Sequence, residues 1–138
     1  MSGGLQVKNF DFTLGKSLTV GGFINNNPQR FSINVGQSED LISLHVDSRF
    51  NYGPDKKTIV LNSTREGSAG KWETEQRCMD FNFFAGQYFE MTITYDINKF
   101  SIDVRDGCKM EFPNRYSEEV MTFLFLAGDA KLTYVKLE

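Results

Sequence analysis

The sequence predicts an all-β protein, built as an antiparallel sandwich or barrel. About eleven short segments alternate apolar and polar residues with the period of two that a half-buried strand requires. Residues that favour turns separate these segments at regular intervals. The composition agrees, because thirteen Phe and five Tyr favour strands.

The first half of the chain contains six predicted strands. They cover residues 5–8, 16–23, 30–36, 41–50, 58–64 and 72–77. Phe31, Ile33 and Val35 show the alternation clearly, against Ser32 and Asn34. Glycine, proline and asparagine mark the loops and turns between the strands, at residues 25–29, 51–55 and 65–70.

The second half contains five more predicted strands. They cover residues 88–95, 99–105, 109–112, 123–127 and 131–137. Phe100, Ile102 and Val104 are expected to face inward. Asp106-Gly107 is a hairpin signal, and residues 117–120 are predicted to form one helical turn.

Length and charge limit the classes of protein to which the chain can belong. Its 138 residues predict one domain, residues 1–138, with a substantial core. A net charge of −3 and a pI near 5.2 argue against a nucleic-acid-binding surface. The longest apolar run, residues 123–127, is too short to span a bilayer.

The cellular compartment is predicted from the N-terminal residues and the cysteines. Residues 1–8 lack the apolar stretch of a secretory signal, so we expect synthesis in the cytosol. Cys78 and Cys108 are too few and too far apart for a metal site, and free thiols are favoured over a disulfide. Alternation turns Cys78 toward the core, whereas Cys108, beside a hairpin turn, is expected to be exposed and oxidisable.

The strand over residues 41–50 carries a row of polar side chains. His45, Asp47 and Arg49 share one face because each lies two residues from the next, while Leu44 and Val46 point to the core. The row combines an imidazole, a carboxylate and a five-donor guanidinium. Such a set suits a ligand rich in hydroxyl groups, because each hydroxyl both donates and accepts hydrogen bonds.

Further polar residues on the next two strands extend this row. Asn62 lies on one strand, and Glu75 and Arg77 share a face of the following one. Consecutive antiparallel strands are usually neighbours, so we expect a single patch. Trp72 is out of phase with Glu75 and is expected at the start of the strand or on a bulge. Its ring offers a flat apolar surface beside the polar groups, a combination typical of carbohydrate sites.

The spacing of these residues resembles the signature of the galectin family. The matching residues are His45-x-Asp47-x-Arg49, Val60-x-Asn62 and Trp72-x-x-Glu75-x-Arg77. Residues 31–34, 112–115 and 126–129 match as well, so the similarity covers essentially the whole chain. Among galectins, the chain is most similar to the prototype group of fish.

The resemblance implies a fold and a ligand. The fold would be a jelly-roll β-sandwich of two antiparallel sheets, with a β-galactoside such as lactose or N-acetyllactosamine on the concave sheet. His45 and Arg49 would bind the axial 4-hydroxyl, and Asn62 the 6-hydroxyl. Trp72 would stack on the galactose ring. Glu75 and Arg77 would contact the next sugar.

The resemblance also implies how such a protein acts. Prototype members are non-covalent homodimers that cross-link surface glycans, without a metal, another cofactor or enzymatic activity. They are made without a signal peptide and exported to the extracellular space or mucus. Residues 5–8 and 131–137, the first and last predicted strands, are candidates for pairing across the two-fold interface.

One position departs from the family pattern, since Asp47 stands where galectins usually have Asn. An ionised carboxylate only accepts hydrogen bonds, whereas an amide also donates them. An altered sugar preference is therefore an alternative prediction. A further alternative is lost sugar binding, which would leave a structural or protein-interaction module.

Other interpretations of these residues remain open. The charged residues can form a solvated ion-pair lattice that stabilises exposed strands, His45 can be structural, and Trp72 can pack under a loop. Asp47 and Glu75 can be considered as the paired carboxylates of a glycosidase. The neighbouring Arg49 and Arg77 would keep both carboxyls ionised, which argues against the general acid that hydrolysis needs.

The sequon Asn62-Ser63-Thr64 bears on the route of export. A glycan attached to Asn62 would block the predicted site. A chain that bypasses the glycosylating compartment avoids this conflict, in agreement with the expected absence of a signal peptide.

Overall fold

A computed structural model describes residues 5–67 and 72–138 of the protein. These residues form eleven β-strands. In chain order, β1 to β11 are Gln6–Thr13, Ser17–Ile24, Arg30–Gly36, Ile42–Tyr52, Asp55–Thr64, Gln76–Cys78, Tyr88–Tyr95, Lys99–Val104, Lys109–Pro113, Val120–Gly128 and Ala130–Leu137. The predicted all-β class is confirmed. Two antiparallel sheets form a sandwich, one of six strands in the order β1-β10-β3-β4-β5-β6 and one of five in the order β11-β2-β7-β8-β9.

The core fills the space between the two sheets. Leu44 and Val46 of β4 are fully buried, as are Phe31 of β3 and Phe100 of β8. Phe100, Ile102 and Val104 all face this core, as their alternation predicted. The opposite face of the six-stranded sheet is therefore free to carry polar side chains.

Several predicted strands differ in extent from the observed ones, and β6 and β1 are two examples. The strand predicted over residues 72–77 is confined to β6, because residues 72–75 lie outside the ladder. Conversely, β1 runs well past residue 8. Its pairing with β10 shifts register between Lys8 and Phe12, and Asn9 has φ 62°, so the simple alternation is interrupted there.

The helical turn predicted over residues 117–120 is wrong. Ser117 has φ 51°, which a right-handed helix does not allow. The side chain of Asn114 organises the segment instead, since its Nδ2 donates to the carbonyl oxygens of Asp96 (3.2 Å) and Glu118 (3.0 Å). Its Oδ1 accepts from the backbone nitrogen of Glu118 at 3.2 Å. No residue in the two described ranges is helical.

The environments of the two cysteines correct one prediction. Both thiols are free, and Cys78 is half-buried against the core. Cys108 is also buried, with only 4% of its surface exposed, so the expectation of an exposed, oxidisable thiol is wrong. It belongs to the core cluster, because the end of the β8–β9 connection turns inward.

The part of the chain that the structure describes lacks two kinds of feature. None of its segments forms a helix with the length and apolarity needed to cross a membrane. Within residues 5–67 and 72–138, no group of three or more His, Cys, Asp or Glu side chains is arranged to hold a metal ion.

Candidate functional site

The predicted polar row lies on the outer face of the six-stranded sheet, where strand register assembles it. His45 on β4 pairs with Asn34 on β3 and with Asn62 on β5. Two residues further along β4, Asp47 lies opposite Ser32 and Val60. The predicted adjacency of β4, β5 and β6 is confirmed.

A groove of about 660 Å³ crosses this face. Seven of the eight predicted site residues line it: His45, Asp47, Arg49, Val60, Asn62, Trp72 and Glu75. The eighth, Arg77, is connected to the site by ion pairs with Asp55 and Glu75. The sheet thus brings residues from three separate strands and one loop to a single surface.

His45 is held in one orientation by β3. Its Nδ1 lies 2.6 Å from Oδ1 of Asn34, while Nδ2 of Asn34 donates to Ser32 Oγ at 3.0 Å. The amide oxygen therefore faces the ring, so Nδ1 is the protonated nitrogen and Nε2 is left as an acceptor.

Burial keeps this imidazole neutral. It lowers the pKa of His45 from 6.5 to about 4. The charge of Asp47 opposes this effect, whereas those of Arg30 and Arg49 reinforce it. At neutral pH, Nε2 therefore offers a lone pair to a hydroxyl group rather than a proton.

Asp47 is fully buried, with 0% of its side chain exposed. Its Oδ1 accepts from Nε of Arg30 and its Oδ2 from Nε of Arg49, each at 2.9 Å. The alternative of a solvated ion-pair lattice does not hold for this side chain, because neighbouring side chains cover it. Since each oxygen already has a guanidinium partner, Asp47 orients the two arginines.

Ion pairs of alternating sign continue from Asp47 across the sheet. They run in the order Arg30–Asp47–Arg49–Asp55–Arg77–Glu75, a sequence of residues that we call the charge chain. The two contacts of Asp55 measure 2.6 Å to Arg49 and 2.8 Å to Arg77. Hydrogen bonds from Arg77 and then Arg49 lower the pKa of Asp55, so the central carboxylate stays ionised.

Tyr52 lies beside the first two arginines of the charge chain. Its ring centroid is 4.9 Å from the guanidinium carbon of Arg30 and 5.1 Å from that of Arg49. Both distances fall within the range of cation–π contacts. The ring therefore restricts the two guanidinium groups from a second side.

Trp72 lies in the irregular segment before β6. Its ring centroid is 4.4 Å from that of His45, with an angle of 38° between the planes. The backbone of the next residue, Glu73, donates to the Ser63 carbonyl at 3.0 Å, which ties the segment to β5. The predicted strand position of Trp72 is therefore wrong, but its predicted proximity to the polar row is confirmed.

Asn62 connects β5 to the same irregular segment. Its Nδ2 donates to the carbonyl oxygen of Glu73 at 2.9 Å, and its Oδ1 accepts from Ser63 N at 2.8 Å and from Nη1 of Arg115 at 3.2 Å. Both polar atoms thus have partners, and one amide N–H remains for a ligand.

Arg115 joins three parts of this region. Besides Asn62, it donates to Ser63 Oγ at 3.0 Å and to the carbonyl oxygen of Thr74. Its guanidinium carbon lies 4.6 Å from the ring centroid of Phe112. Arg115 therefore holds the segment that carries Trp72 and Glu75 against β5.

Comparison with known protein families identifies the chain. Residues 5–137 match the model of the galactoside-binding lectins. The chain is a galectin. Congerin-1 from Conger myriaster is 69% identical over 135 residues, which cover 98% of this chain and 99% of that protein.

Solved structures agree with this identification. Congerin II with lactose and MES bound has a TM-score of 0.92 and 47% identity, covering 97% of this galectin and 98% of that chain. A homodimeric agglutinin from chicken liver has a TM-score of 0.91 and 33% identity, and the match covers 99% of this galectin and 100% of that chain. The predicted galectin sandwich is therefore confirmed.

Lectin membership also answers the question of enzymatic activity. This galectin belongs to a family of binding proteins and is not an enzyme, as predicted. The carboxylates agree with this conclusion. Asp47 has both oxygens on arginines and Glu75 pairs with Arg77, so both carboxylates are engaged in ion pairs within the site.

Several members of this galectin's site were not predicted from the sequence. Asn34 and Arg115 lie in segments that matched the family pattern, but neither was connected to a specific role. Asp55 was assigned only to a turn, and Arg30 only to the start of a strand. Their partners lie on other strands or in distant segments, 53 residues away in the case of Arg115 and Asn62, so local alternation gave no signal for them.

Proposed function

We propose that this galectin binds β-galactosides of the lactose or N-acetyllactosamine type in the groove on the outer face of the six-stranded sheet. The observation that carries the proposal is the pairing of a neutral acceptor, Nε2 of His45, with the guanidinium donors of Arg49. A hydroxyl group both donates and accepts, so the two side chains bind it together. In our proposal this hydroxyl is the axial 4-hydroxyl of galactose.

Asn62 and Trp72 bind the remainder of the galactose ring. The free N–H of Asn62 donates to the 6-hydroxyl, and the apolar face of the sugar stacks on Trp72. Hydrogen bonds fix both of them from the side away from the groove. Arg115 donates to Asn62, and the Trp72 segment donates to the Ser63 carbonyl. A site whose side chains are already fixed loses little entropy when the ligand binds.

Glu75 and Arg77 contact the next sugar. Val60 of β5 lies between β4 and β6 and lines the floor of the groove. Asp47 acts through the arginines that it orients. Its carboxylate has no oxygen without a partner, so its replacement of the family's Asn leaves no bare charge against a sugar hydroxyl. This supports retained galactoside binding over the alternative of lost binding.

Intrinsic fluorescence tests the proposal directly, because Trp72 is the only tryptophan. Lactose should produce a saturable change in emission, and mannose should not. The variant His45→Gln removes the ring acceptor and should abolish the lactose response at the same concentrations. An unchanged emission with lactose, together with no heat of binding by calorimetry, would overturn the proposal.

Pairing of two copies through β1 and β11 would produce a bivalent lectin. The two strands lie at the edges of the six- and five-stranded sheets, and Leu5, Tyr134 and Val135 beside or within them are exposed. Light scattering should give twice the mass of the chain, and Val135→Glu should reduce it to that of a monomer. Agglutination should then be lost while lactose binding remains.

Synthesis in the cytosol, followed by export outside the glycosylating compartment, is part of the proposal. Support comes from Asn62, which is buried, hydrogen-bonded and part of a sequon. A glycan there would occupy the groove. Mass spectrometry of protein from its natural source should find Asn62 unmodified, and a glycan at this position would contradict the proposed route.

A further inference from the structure

The two cysteines of the chain lie at the edges of different sheets. Cys78 is the last residue of β6, the edge strand of the six-stranded sheet. Cys108 comes directly before β9, the edge strand of the five-stranded sheet. They are the only cysteines in the sequence. A covalent bond between them would therefore tie one sheet to the other.

Strand pairing turns Cys78 toward the interior of the sandwich. It pairs with Ile59 of β5, and directly paired residues of antiparallel strands have their side chains on the same face. Ile59 is fully buried, so the thiol of Cys78 points inward as well and packs against the core cluster. Cys108 belongs to that cluster. Both thiols therefore point into the space between the sheets.

The segment that follows β6 runs along the turn between β8 and β9. A Cβ at Gly107 would lie 2.6 Å from Cβ of Asn82, so only glycine allows the two segments to approach so closely. The thiol of Cys78 lies within hydrogen-bonding reach of that of Cys108. Burial, and then the neighbouring Cys78 and Asp80, raise the pKa of Cys108 to about 11. These contacts place the two thiols side by side.

We propose that Cys78 and Cys108 are a redox-sensitive pair, which forms a disulfide across the sandwich when the protein meets a small-molecule disulfide such as oxidised glutathione. The pairing goes beyond the proposed function and requires no sugar. Thiols that are already in contact need only a small movement to reach the S–S bond length of about 2.05 Å. The bond would form after the chain leaves the reducing cytosol. This timing, unlike the pairing itself, rests on the proposed export.

Cys78 reacts first, because it is half-buried whereas only 4% of Cys108 is exposed. Its thiol releases a proton to the solvent, and the thiolate attacks one sulfur of oxidised glutathione. The bond between the two glutathione sulfurs breaks, and one glutathione leaves as a thiolate that takes up a proton. The product is a mixed disulfide between Cys78 and the other glutathione.

Cys108 completes the exchange from within the protein. Its thiol loses a proton, its sulfur attacks Sγ of Cys78, and the second glutathione leaves and is protonated. Two protein thiols are thus oxidised to one disulfide, while one glutathione disulfide is reduced to two thiols. The raised pKa makes Cys108 slow toward reagents in solution. Contact with Cys78 offsets this effect, because it gives the attacking sulfur a high effective concentration.

The disulfide should stabilise the folded protein. It closes a ring over residues 79–107, which restricts the unfolded chain far more than the folded one. For a chain of this length, we expect the oxidised form to melt about 10 °C above the reduced form. A thiol reductant should reverse the shift.

Peptide mapping of the full chain provides the test. Reduced protein is incubated with an excess of oxidised glutathione and digested with trypsin without a reductant. Trypsin places the two cysteines in the separate peptides 78–99 and 106–109. Mass spectrometry should find these two peptides linked, at the sum of their masses less two hydrogen atoms. Thermal unfolding of the same samples measures the shift in Tm.

Two variants serve as controls. Cys78→Ser should remain unmodified, and oxidised glutathione should leave its Tm unchanged. Cys108→Ala keeps an apolar side chain in the core, and its reaction should stop at the mixed disulfide on Cys78. Wild-type protein that also stops there, stays unmodified or links Cys78 of two chains would overturn the proposal. Lactose binding is not measured, so the result is independent of the proposed function.

Discussion

The His45 ring and the Asn34 amide are joined by a 2.6 Å hydrogen bond between Nδ1 and Oδ1. Because the amide nitrogen of Asn34 is committed to Ser32, the bond has one polarity, with the ring as donor. It fixes the tautomer of the only histidine in the chain. A protonated ring would keep this bond but lose the Nε2 acceptor, which makes the site sensitive to acid.

Stability should depend on pH through His45. Its pKa is about 4 in the folded protein, against 6.5 as the reference, so below about pH 6.5 the unfolded chain takes up a proton that the folded chain refuses. Stability should fall as the pH drops from about 6.5 to about 4, by up to about 3 kcal/mol. Urea unfolding at a series of pH values measures this slope.

The variant His45→Gln provides the control for the pH effect. Its free energy of unfolding should depend less on pH between about pH 5 and about pH 6.5, where no other side chain of ordinary pKa titrates. Lactose binding by the wild type should persist to about pH 5 and fail near the pKa of His45. A wild-type slope equal to that of the variant would contradict burial as the cause.

Asp47→Asn should destabilise the protein by about 3 kcal/mol, because an amide provides one acceptor oxygen for two guanidinium groups and turns its own N–H toward the second. Asp103→Asn is the matched control. Asp103 is exposed on β8, and its exchange should change the free energy of unfolding by less than about 0.5 kcal/mol. Equal stability of Asp47→Asn and wild type would show that the carboxylate is not needed to hold the arginines.

Arg115→Lys should weaken lactose binding although Arg115 lies behind the site. A lysine cannot bond Asn62, Ser63 and the Thr74 carbonyl together, so the segment that carries Trp72 loses its anchor. We expect roughly a tenfold loss of affinity, typical of one lost charged hydrogen bond. Acrylamide should also quench Trp72 fluorescence more strongly.

Arg65→Lys is the control for this effect. Its guanidinium carbon lies 4.2 Å from the Tyr116 ring centroid, in the same region, without a described bond to Asn62. It should leave both affinity and quenching near the wild-type values. Unchanged quenching in Arg115→Lys would exclude the anchoring role.

Cysteine labelling should distinguish the two thiols. Burial raises the pKa of Cys108 to about 11, and the thiolate is the reactive form. Iodoacetamide should therefore modify half-buried Cys78 in the native protein and Cys108 only after unfolding. Native Cys78→Ser should stay unlabelled, and rapid labelling of this variant would contradict the burial of Cys108.

Alternation and strand order were enough to predict much of this site. His45, Asp47 and Arg49 face the same side because strand geometry leaves no other choice. Leu44 and Val46 give the sheet its buried side for the same reason. Asn62 joins the row because β5 follows β4 through a tight turn, and consecutive strands then pair.

What the sequence did not reveal depends on contacts between distant segments. The burial of Asp47 requires Arg30 from β3, which no local pattern connects with it. The side chains of Asn62 and Arg115 hold the Trp72 segment, which is not part of a β-ladder. Apolar and polar residues therefore need not alternate there, and the position of the segment could not be predicted from alternation. Cys108 is buried by the packing of a whole hairpin against the core.

The charge chain also limits how the protein can change during evolution. Asp47, Arg49, Asp55 and Arg77 each hold two partners, so replacing any one of them takes an ion-pair partner from two other groups. Arg30 and Glu75 each hold one. Substitutions are thus strongly epistatic at the centre and more nearly independent at the two ends. Related lectins that keep Asp47 should diverge in glycan preference first at these ends, while the middle of their charge chain stays constant.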